Sequence, residues 1–142
     1  VLATDASADT LAVARANAKR LGLRNVEFAQ GDWCEALGDA VFDVIASNPP
    51  YIVEGDAHLS QGDLRFEPPG ALSSGGDGLD AIRAIVAQAP THLAVDGWLL
   101  LEHGWNQAAA VRALLESSGY CDVGSFHDTA RHERVTSGRR PR

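Results

Sequence analysis

Ser47-Asn48-Pro49-Pro50-Tyr51 puts a carboxamide, two prolines and an aromatic ring directly after a short apolar run, Phe42-Asp43-Val44-Ile45-Ala46. The run reads as a buried strand. Its carboxyl end is where open α/β sheets bind ligands. Asn48 offers a side-chain carbonyl oxygen as acceptor. Pro50 biases Pro49 toward extended backbone. Neither proline has an N–H, so the bend presents carbonyls and few donors. Tyr51 adds a flat face. The combination suits a planar group bearing an –NH2, with two acceptors taking the two hydrogens while the ring packs on the plane. Strand termination alone accounts for Asn before two prolines but leaves Tyr51 unexplained.

Other residues have a functional and a plain reading side by side. Asp5 ends a strand just before a helix, where an acid in nucleoside-binding α/β folds accepts ribose hydroxyls. An acid near a helix N-terminus is also favoured by the macrodipole alone. Asp32 could accept from an adenine amino group while Trp33 packs along the ring; equally, Asp32 and Glu35 have capping-box spacing. His103, between Glu102 and Gly104 at a strand end, is either a site residue or a satisfied structural histidine. Arg65-Phe66-Glu67-Pro68 reads as an internal ion pair holding a loop, or as a substrate contact. His58, His92, His127 and His132 have no shared metal spacing and read as surface residues, and no metal is expected. Gly75-Gly76-Asp77-Gly78 follows no strand, so it reads as a turn into a helix N-cap rather than a phosphate loop.

The elements that would position these residues alternate. Val1 to Thr4 reads as a strand ending at Asp5. Ser7 caps a helix with Leu11, Ala14, Ala18 and Leu21 on one stripe, stopped by Gly22. Asn25 to Ala29 predicts a second strand, Trp33 to Leu37 a short helix, and the third strand runs into Asn48. Ile52 to Gly76 has no periodicity, which inside a compact domain marks a functional or disordered segment. Leu79, Ile82, Val86, Ala89 and Leu93 mark a helix that Pro90 kinks or divides. After an Asp96-Gly97 turn, Trp98 to Leu101 reads as a fully buried strand. Asn106 caps a helix with Ala108, Val111, Leu114 and Leu115 inward, ended by Gly119. Tyr120 to Phe126 and Arg134 to Gly138 predict an antiparallel pair. The pattern is an α/β sandwich with a mostly parallel sheet and an antiparallel end.

Composition narrows the class. The chain has 142 residues, enough for one domain with a real core. At 45% hydrophobic and 22% charged it matches soluble globular proteins. A net charge of −7 argues against a nucleic-acid-binding surface, and Arg139-Arg140-Pro141-Arg142 reads as a solvated tail. No apolar run approaches a membrane span. Cys34 and Cys121 lack metal or disulfide spacing and read as buried free thiols in a reducing cytosol. The chain has no Met, and Val1 already lies in a strand, so a piece of a longer protein is expected.

Asn48-Pro49-Pro50-Tyr51 after a buried strand resembles the signature of S-adenosylmethionine-dependent methyltransferases that modify planar amide or amino nitrogens. Gly31-Asp32-Trp33, Arg65-Phe66-Glu67-Pro68, Leu101-Glu102-His103-Gly104-Trp105 and Glu133-Arg134-Val135 narrow the resemblance to the peptide chain release factor glutamine methyltransferases, over essentially the whole chain. The resemblance implies a Rossmann-like class I methyltransferase sheet and a cytoplasmic enzyme. It implies S-adenosylmethionine held by Asp5 at the ribose, by Asp32 and Trp33 at the adenine, and by Asn48. Asn48 and the Pro49 carbonyl would hold the substrate amide, with Pro50 and Tyr51 packing against it. The partner would be a class-1 release factor carrying a Gly-Gly-Gln loop. In such a protein residues 1–142 would be the C-terminal part of the catalytic domain. The family's first strand, its glycine-rich cofactor loop and its N-terminal helical domain are not in the sequence, so this piece alone is expected to be inactive. Two other readings stand beside this one: an adenine-N6 DNA or RNA methyltransferase, and a non-catalytic methyltransferase-like binding module or inactive fragment.

Overall fold

A computed structural model describes residues 1–56 and 68–142, which divide into two units, Val1–Val41 and Phe42–Arg142. In the first, β1 (Leu2–Asp5) pairs in parallel with β2 (Glu27–Gln30), in a register that sets Asp5 opposite Gln30. The helix α1 (Ala8–Arg20) connects them, with the Ser7 hydroxyl accepting from Thr10 N at 3.2 Å. Of the expected stripe, Leu11 and Ala18 are buried, but Leu21 is 61% exposed, because it is already the C-cap. A 3-10 turn, Trp33–Leu37, follows β2 and buries Cys34.

The second unit holds a four-stranded sheet in the order β3-β4-β6-β5: β3 (Phe42–Ser47), β4 (Leu93–Glu102), β5 (Cys121–His127) and β6 (Glu133–Arg139). β3 and β4 run parallel, whereas β6 is antiparallel to both β4 and β5. The last strand thus inserts between its two predecessors. Helices α3 (Asp80–Gln88) and α4 (Ala108–Ser117) supply the core with Ile82, Ile85, Val86, Val111 and Leu115, and β4 adds buried Leu99 and Leu101. β4 alternates: Leu99 and Leu101 are buried while Trp98 and Leu100 are only half-buried, so the strand is not fully buried as the apolar run suggested.

Pro90 divides the helical stretch as expected. α3 ends at Gln88 and a 3-10 turn spans Ala89–Thr91. Leu93, however, opens β4 rather than closing the helix, and Asp96-Gly97 lies inside the strand as an irregularity. Asp96 takes a positive φ of 63°. A side chain at Gly97 would stand 2.9 Å from Ala94 O and 3.1 Å from Asp43 O, so glycine lets β4 bulge against β3. The C-terminal arginines fasten this bulge instead of forming a free tail. Arg139 pairs with Asp96 and Asp122, Arg142 Nε donates to Asp96 at 3.2 Å, and Arg140 N donates to Gly97 O at 2.8 Å. Cys121 is half-buried rather than buried.

The aperiodic stretch contains a short helix, α2 (Pro69–Leu72), and Ile52 and Ser73 form an isolated parallel bridge. Arg65, Phe66, Glu67 and His58 lie outside the described residues. Gly75 to Gly78 is a turn into α3, as expected; Ala81 N is capped by Ser74 Oγ at 2.7 Å, and Leu79 N by Asp77 Oδ1 at 3.1 Å. Arg83 grips Asp77 with both guanidinium nitrogens, which, with the Leu79 amide, holds the Asp77 carboxyl down at about 2. The native carboxylate therefore binds its proton less tightly than the unfolded one does. Its contribution is full above about pH 4 and is lost as pH falls toward about 2. The expected result is that wild type exceeds Asp77→Asn in urea midpoint near neutrality and that the gap closes across that acid range.

Candidate active site

In the second unit, β3 delivers Asn48 to the carboxyl edge of the sheet. The Ser47↔Leu101 register places the neighbouring strand end, Glu102, beside it. Asn48 is exposed, Pro49 buried, and Pro50 and Tyr51 half-buried. Ala46, Ser47, Asn48, Leu100, Glu102 and Val135 line a hollow of about 300 Å³. An adjoining hollow of about 420 Å³ is lined by Tyr51, Glu102, Phe126, His127, Asp128, Arg134 and Val135. Glu102 and Val135 border both. Tyr51 OH donates to Glu102 Oε1 at 3.3 Å. Burial, then the Glu102 charge, pushes the Tyr51 phenol up, with Arg134 opposing, so the phenol keeps its proton for this bond at neutral pH. The exposed Asn48 carboxamide and the Glu102 carboxylate, beside a protonated ring, suit a planar donor group.

The segment after the bend is tied by its main chain. Ile52 N donates to Leu72 O and Ser74 N to Ile52 O, both at 2.9 Å. Gln107 Nε2 donates to Tyr51 O at 3.0 Å and to Asp77 O at 3.2 Å, and Gln107 Oε1 accepts from Gly104 N at 2.8 Å. Gln107, not Asn106, is the N-cap of α4, and no side chain caps this helix.

In the first unit, Asp5 and Asp32 stand at the ends of adjacent parallel strands, which Gly31 N joins by donating to Asp5 O at 3.2 Å. Asp5 is half-buried, and its Oδ1 accepts from Ser7 N at 2.7 Å. The capping box at Asp32 does not form. The Asp32 carbonyl, not its carboxylate, accepts from Glu35 N at 2.9 Å, and Trp33 takes a φ of 46°. That leaves the Asp32 carboxylate exposed next to a half-buried indole. The expected residues are thus brought together in two sets: Asp5 with Asp32 and Trp33, and Asn48 with Pro49, Pro50 and Tyr51.

A family model described as "Methyltransferase domain" matches residues 1–130. The chain belongs to this methyltransferase-domain family. The methyltransferase domain is 57% identical over 141 residues to the release factor glutamine methyltransferase of Xylella fastidiosa strain Temecula1, covering 99% of this chain and 51% of that protein. It is 51% identical over 138 residues to the protein of the same name from Pseudomonas aeruginosa, covering 97% and 50%. The chain thus spans about half the length of the curated relatives it matches. Among solved structures it is similar to a methyltransferase from Pyrococcus furiosus, with a TM-score of 0.71 at 18% identity, covering 100% of this chain and 63% of that one. It is also similar to the T. thermophilus 16S rRNA N2 G1207 methyltransferase in complex with AdoMet and guanosine, with a TM-score of 0.68 at 19% identity, covering 99% and 31%. The fold is therefore the α/β class I methyltransferase fold with a mixed sheet.

His103 of the methyltransferase domain is structural. It is fully buried, with Nδ1 2.9 Å from Gly104 O and Nε2 2.8 Å from Thr136 Oγ1. A carbonyl can only accept, so Nδ1 carries the proton. The chain that satisfies every group runs from Arg112 through Ser125 and Thr136 to His103, with Arg112 also paired to Glu133 at 2.8 Å. His103→Leu is expected to lower stability by about 1–3 kcal/mol, by orphaning buried polar groups, as read by urea denaturation. His92 is half-buried, and His127 and His132 are exposed.

Glu102, Gln107, Arg112 and Arg134 are functional or supporting residues that stand in no motif with an evident role in the sequence. Gln107 carried a local signal, because it stands three residues after Gly104 at the start of a helix, the spacing of a reciprocal cap. The partner of Glu102, Tyr51, lies in the bend after β3, and that of Arg112, Glu133, on β6, which no local spacing reveals.

Proposed function

We propose that this chain is the substrate-amide and partial cofactor-rim portion of a cytoplasmic S-adenosylmethionine-dependent protein methyltransferase. Its substrate is the glutamine of the Gly-Gly-Gln loop of class-1 peptide chain release factors. The observation that carries the reading is the exposed Asn48 carboxamide over a hollow between the ends of β3 and β4, flanked by two prolines and a protonated Tyr51. The names of relatives at 51–57% identity support it.

The residues of the first unit fit a nucleoside. Asp5 has a carboxylate oxygen beyond the one taken by Ser7 N, and Asp32 and Trp33 offer an acceptor beside an aromatic surface. Asp5 would hold the ribose, and Asp32 with Trp33 the adenine. S-adenosylmethionine, when bound, supplies an electrophilic methyl group. β1 and β3 each pair with only one strand among the described residues, and Val44 of β3 is 54% exposed. Parallel strands of such sheets are normally covered on both sides. We read this exposed apolar face as belonging to a larger catalytic domain, of which residues 1–142 would be the C-terminal part.

The chain's own contribution is position. An amide nitrogen is a weak nucleophile because its lone pair is shared with the carbonyl. Asn48 Oδ1 and the Pro49 carbonyl accept the two amide hydrogens and aim the nitrogen. Such alignment contributes roughly 7–11 kcal/mol in favourable model systems. The same oxygens face the positive charge that develops on nitrogen. Tyr51, held by Glu102, packs on the amide plane. No base is needed before transfer, since the methylated nitrogen sheds its proton to water.

An acceptor competition tests the substrate. With the full-length protein and labelled cofactor, label is expected on the release factor and absent from adenine-containing DNA and RNA duplexes. Label on the nucleic acid alone would replace this reading with the adenine-N6 one, and no cofactor binding by the full-length protein would replace it with a non-catalytic module. No helix among the described residues is long and apolar enough to cross a membrane.

A further inference from the structure

An acceptor bend made of two prolines has a mechanical weakness. Pro49 and Pro50 have no N–H, so the bend cannot be fastened by its own main-chain donors. Its fastening must come through carbonyl groups and from residues beyond it. Among the described residues, one side chain reaches in to do this. Gln107 uses both N–H directions on main-chain carbonyls, those of Tyr51 at 3.0 Å and Asp77 at 3.2 Å, while its oxygen takes Gly104 N at 2.8 Å. It is 8% exposed, so water does not compete for these bonds.

Two further observations separate this arrangement from ordinary helix capping. Gln107 is itself the N-cap of α4, yet its side chain makes no bond to that helix and turns to the bend instead. Gly78 keeps the approach open: a Cβ there would lie 2.3 Å from Tyr51 O and 2.6 Å from Gln107 Nε2, and its φ is +76°. The glycine is required by the bond between Gln107 and Tyr51 as well as by the turn.

We infer that Gln107 is a positioning residue for methyl transfer. It locks the Tyr51 carbonyl to the Gly104 turn that follows Glu102, and so fixes the Asn48 and Pro49 oxygens relative to the end of β4. The inference rests on the reading of those oxygens as the amide acceptors. A displacement of the bend leaves most of the substrate contact intact but spoils the aim of the nitrogen, so kcat suffers and binding does not.

The test uses the full-length protein, a release factor as acceptor, and assays well below each variant's melting temperature. Gln107→Glu keeps an acceptor for Gly104 N and the side-chain shape but cannot donate to Tyr51 O and Asp77 O. It is expected to lower kcat about tenfold or more, with KM within about threefold and cofactor Kd within about twofold, as misaimed reacting groups cost rate. Gly78→Ala should give the same kcat-selective loss, and carries the test if Gln107→Glu does not fold. In an Asn48→Ala background, each substitution should lower kcat clearly less than in the wild type, because coupled residues are non-additive and only the Pro49 carbonyl is left to displace. Folded Gln107→Glu and Gly78→Ala proteins with wild-type kcat would overturn the inference while Asn48→Ala still collapses. Loss of equal size with and without Asn48 would also overturn it, showing general loosening. Wild-type kcat in Asn48→Ala itself would overturn the underlying reading, and the inference with it.

Discussion

Asn48→Ala in the full-length protein is expected to lower kcat about 100-fold to 1,000-fold, the usual cost of removing one hydrogen-bonding group that stabilises a developing charge. Cofactor affinity should stay within about twofold. Asn48 sits on the surface at the end of β3, so trimming it opens no cavity and the fold should survive. What disappears is one of the two proposed acceptors for the substrate amide. The Pro49 carbonyl remains, so the amide can still enter but can rotate about a single bond. Loss of alignment therefore falls on kcat rather than on KM. Single-turnover methyl transfer with saturating release factor, alongside calorimetric titration of the cofactor, separates the two. A collapse of cofactor binding with normal residual turnover would remove Asn48 from the acceptor role.

Asp5→Ala is expected to do the reverse. A carboxylate that accepts ribose hydroxyls contributes through charge-assisted hydrogen bonds, each about 1.5–3 kcal/mol. Its loss should weaken cofactor Kd by about 10-fold to 100-fold, while kcat at saturating cofactor falls much less. Asp5 also has a local duty, because its Oδ1 accepts from Ser7 N at 2.7 Å just ahead of α1. Asp5→Asn is the control for that duty: it keeps an acceptor for Ser7 N and loses the charge. Both variants should share the weak cofactor binding, and only Asp5→Ala should also loosen the start of α1. An unchanged cofactor Kd in Asp5→Ala would take this residue out of the site.

The placement of these two residues at strand ends was legible in the sequence because the signals are local. An apolar run ending in Asn-Pro-Pro-Tyr, and an acid between a strand and a capped helix, are each contained in a few neighbouring residues. The same holds for the order of strands and helices and for the division at Pro90. Failures came where distant contacts overrule local pattern. Leu93 continues the helical spacing from Leu79, yet it is claimed by β4 because Phe42 lies opposite it. The Asp96-Gly97 pair reads as a chain reversal but is a bulge held by Arg139, Arg140 and Arg142, more than 40 residues away. The basic tail and the odd turn were one feature seen in two places. His103 was undecidable from its neighbours, since Thr136 and Ser125, which settle its role, lie on two other strands. Gln107 acts on Tyr51 across 56 residues.

The pairing of Asp32 with Glu35 failed for a different reason. The spacing of the residues was right, but the backbone was not, because Trp33 turns left-handed and the Asp32 carbonyl takes the Glu35 N–H in place of the side chain. The failure strengthens the functional reading, since a carboxylate not spent on its own helix stays available to a ligand.

The proposed role of the acceptor bend at Asn48 is to present a glutamine carboxamide for methylation. Tandem mass spectrometry of a release factor incubated with the full-length protein and S-adenosylmethionine tests it most directly. A single methyl group is expected on the side-chain nitrogen of the Gly-Gly-Gln glutamine, absent when Asn48→Ala replaces the wild type. A methyl group on any other residue, or full modification of that glutamine by the Asn48→Ala protein, would contradict it.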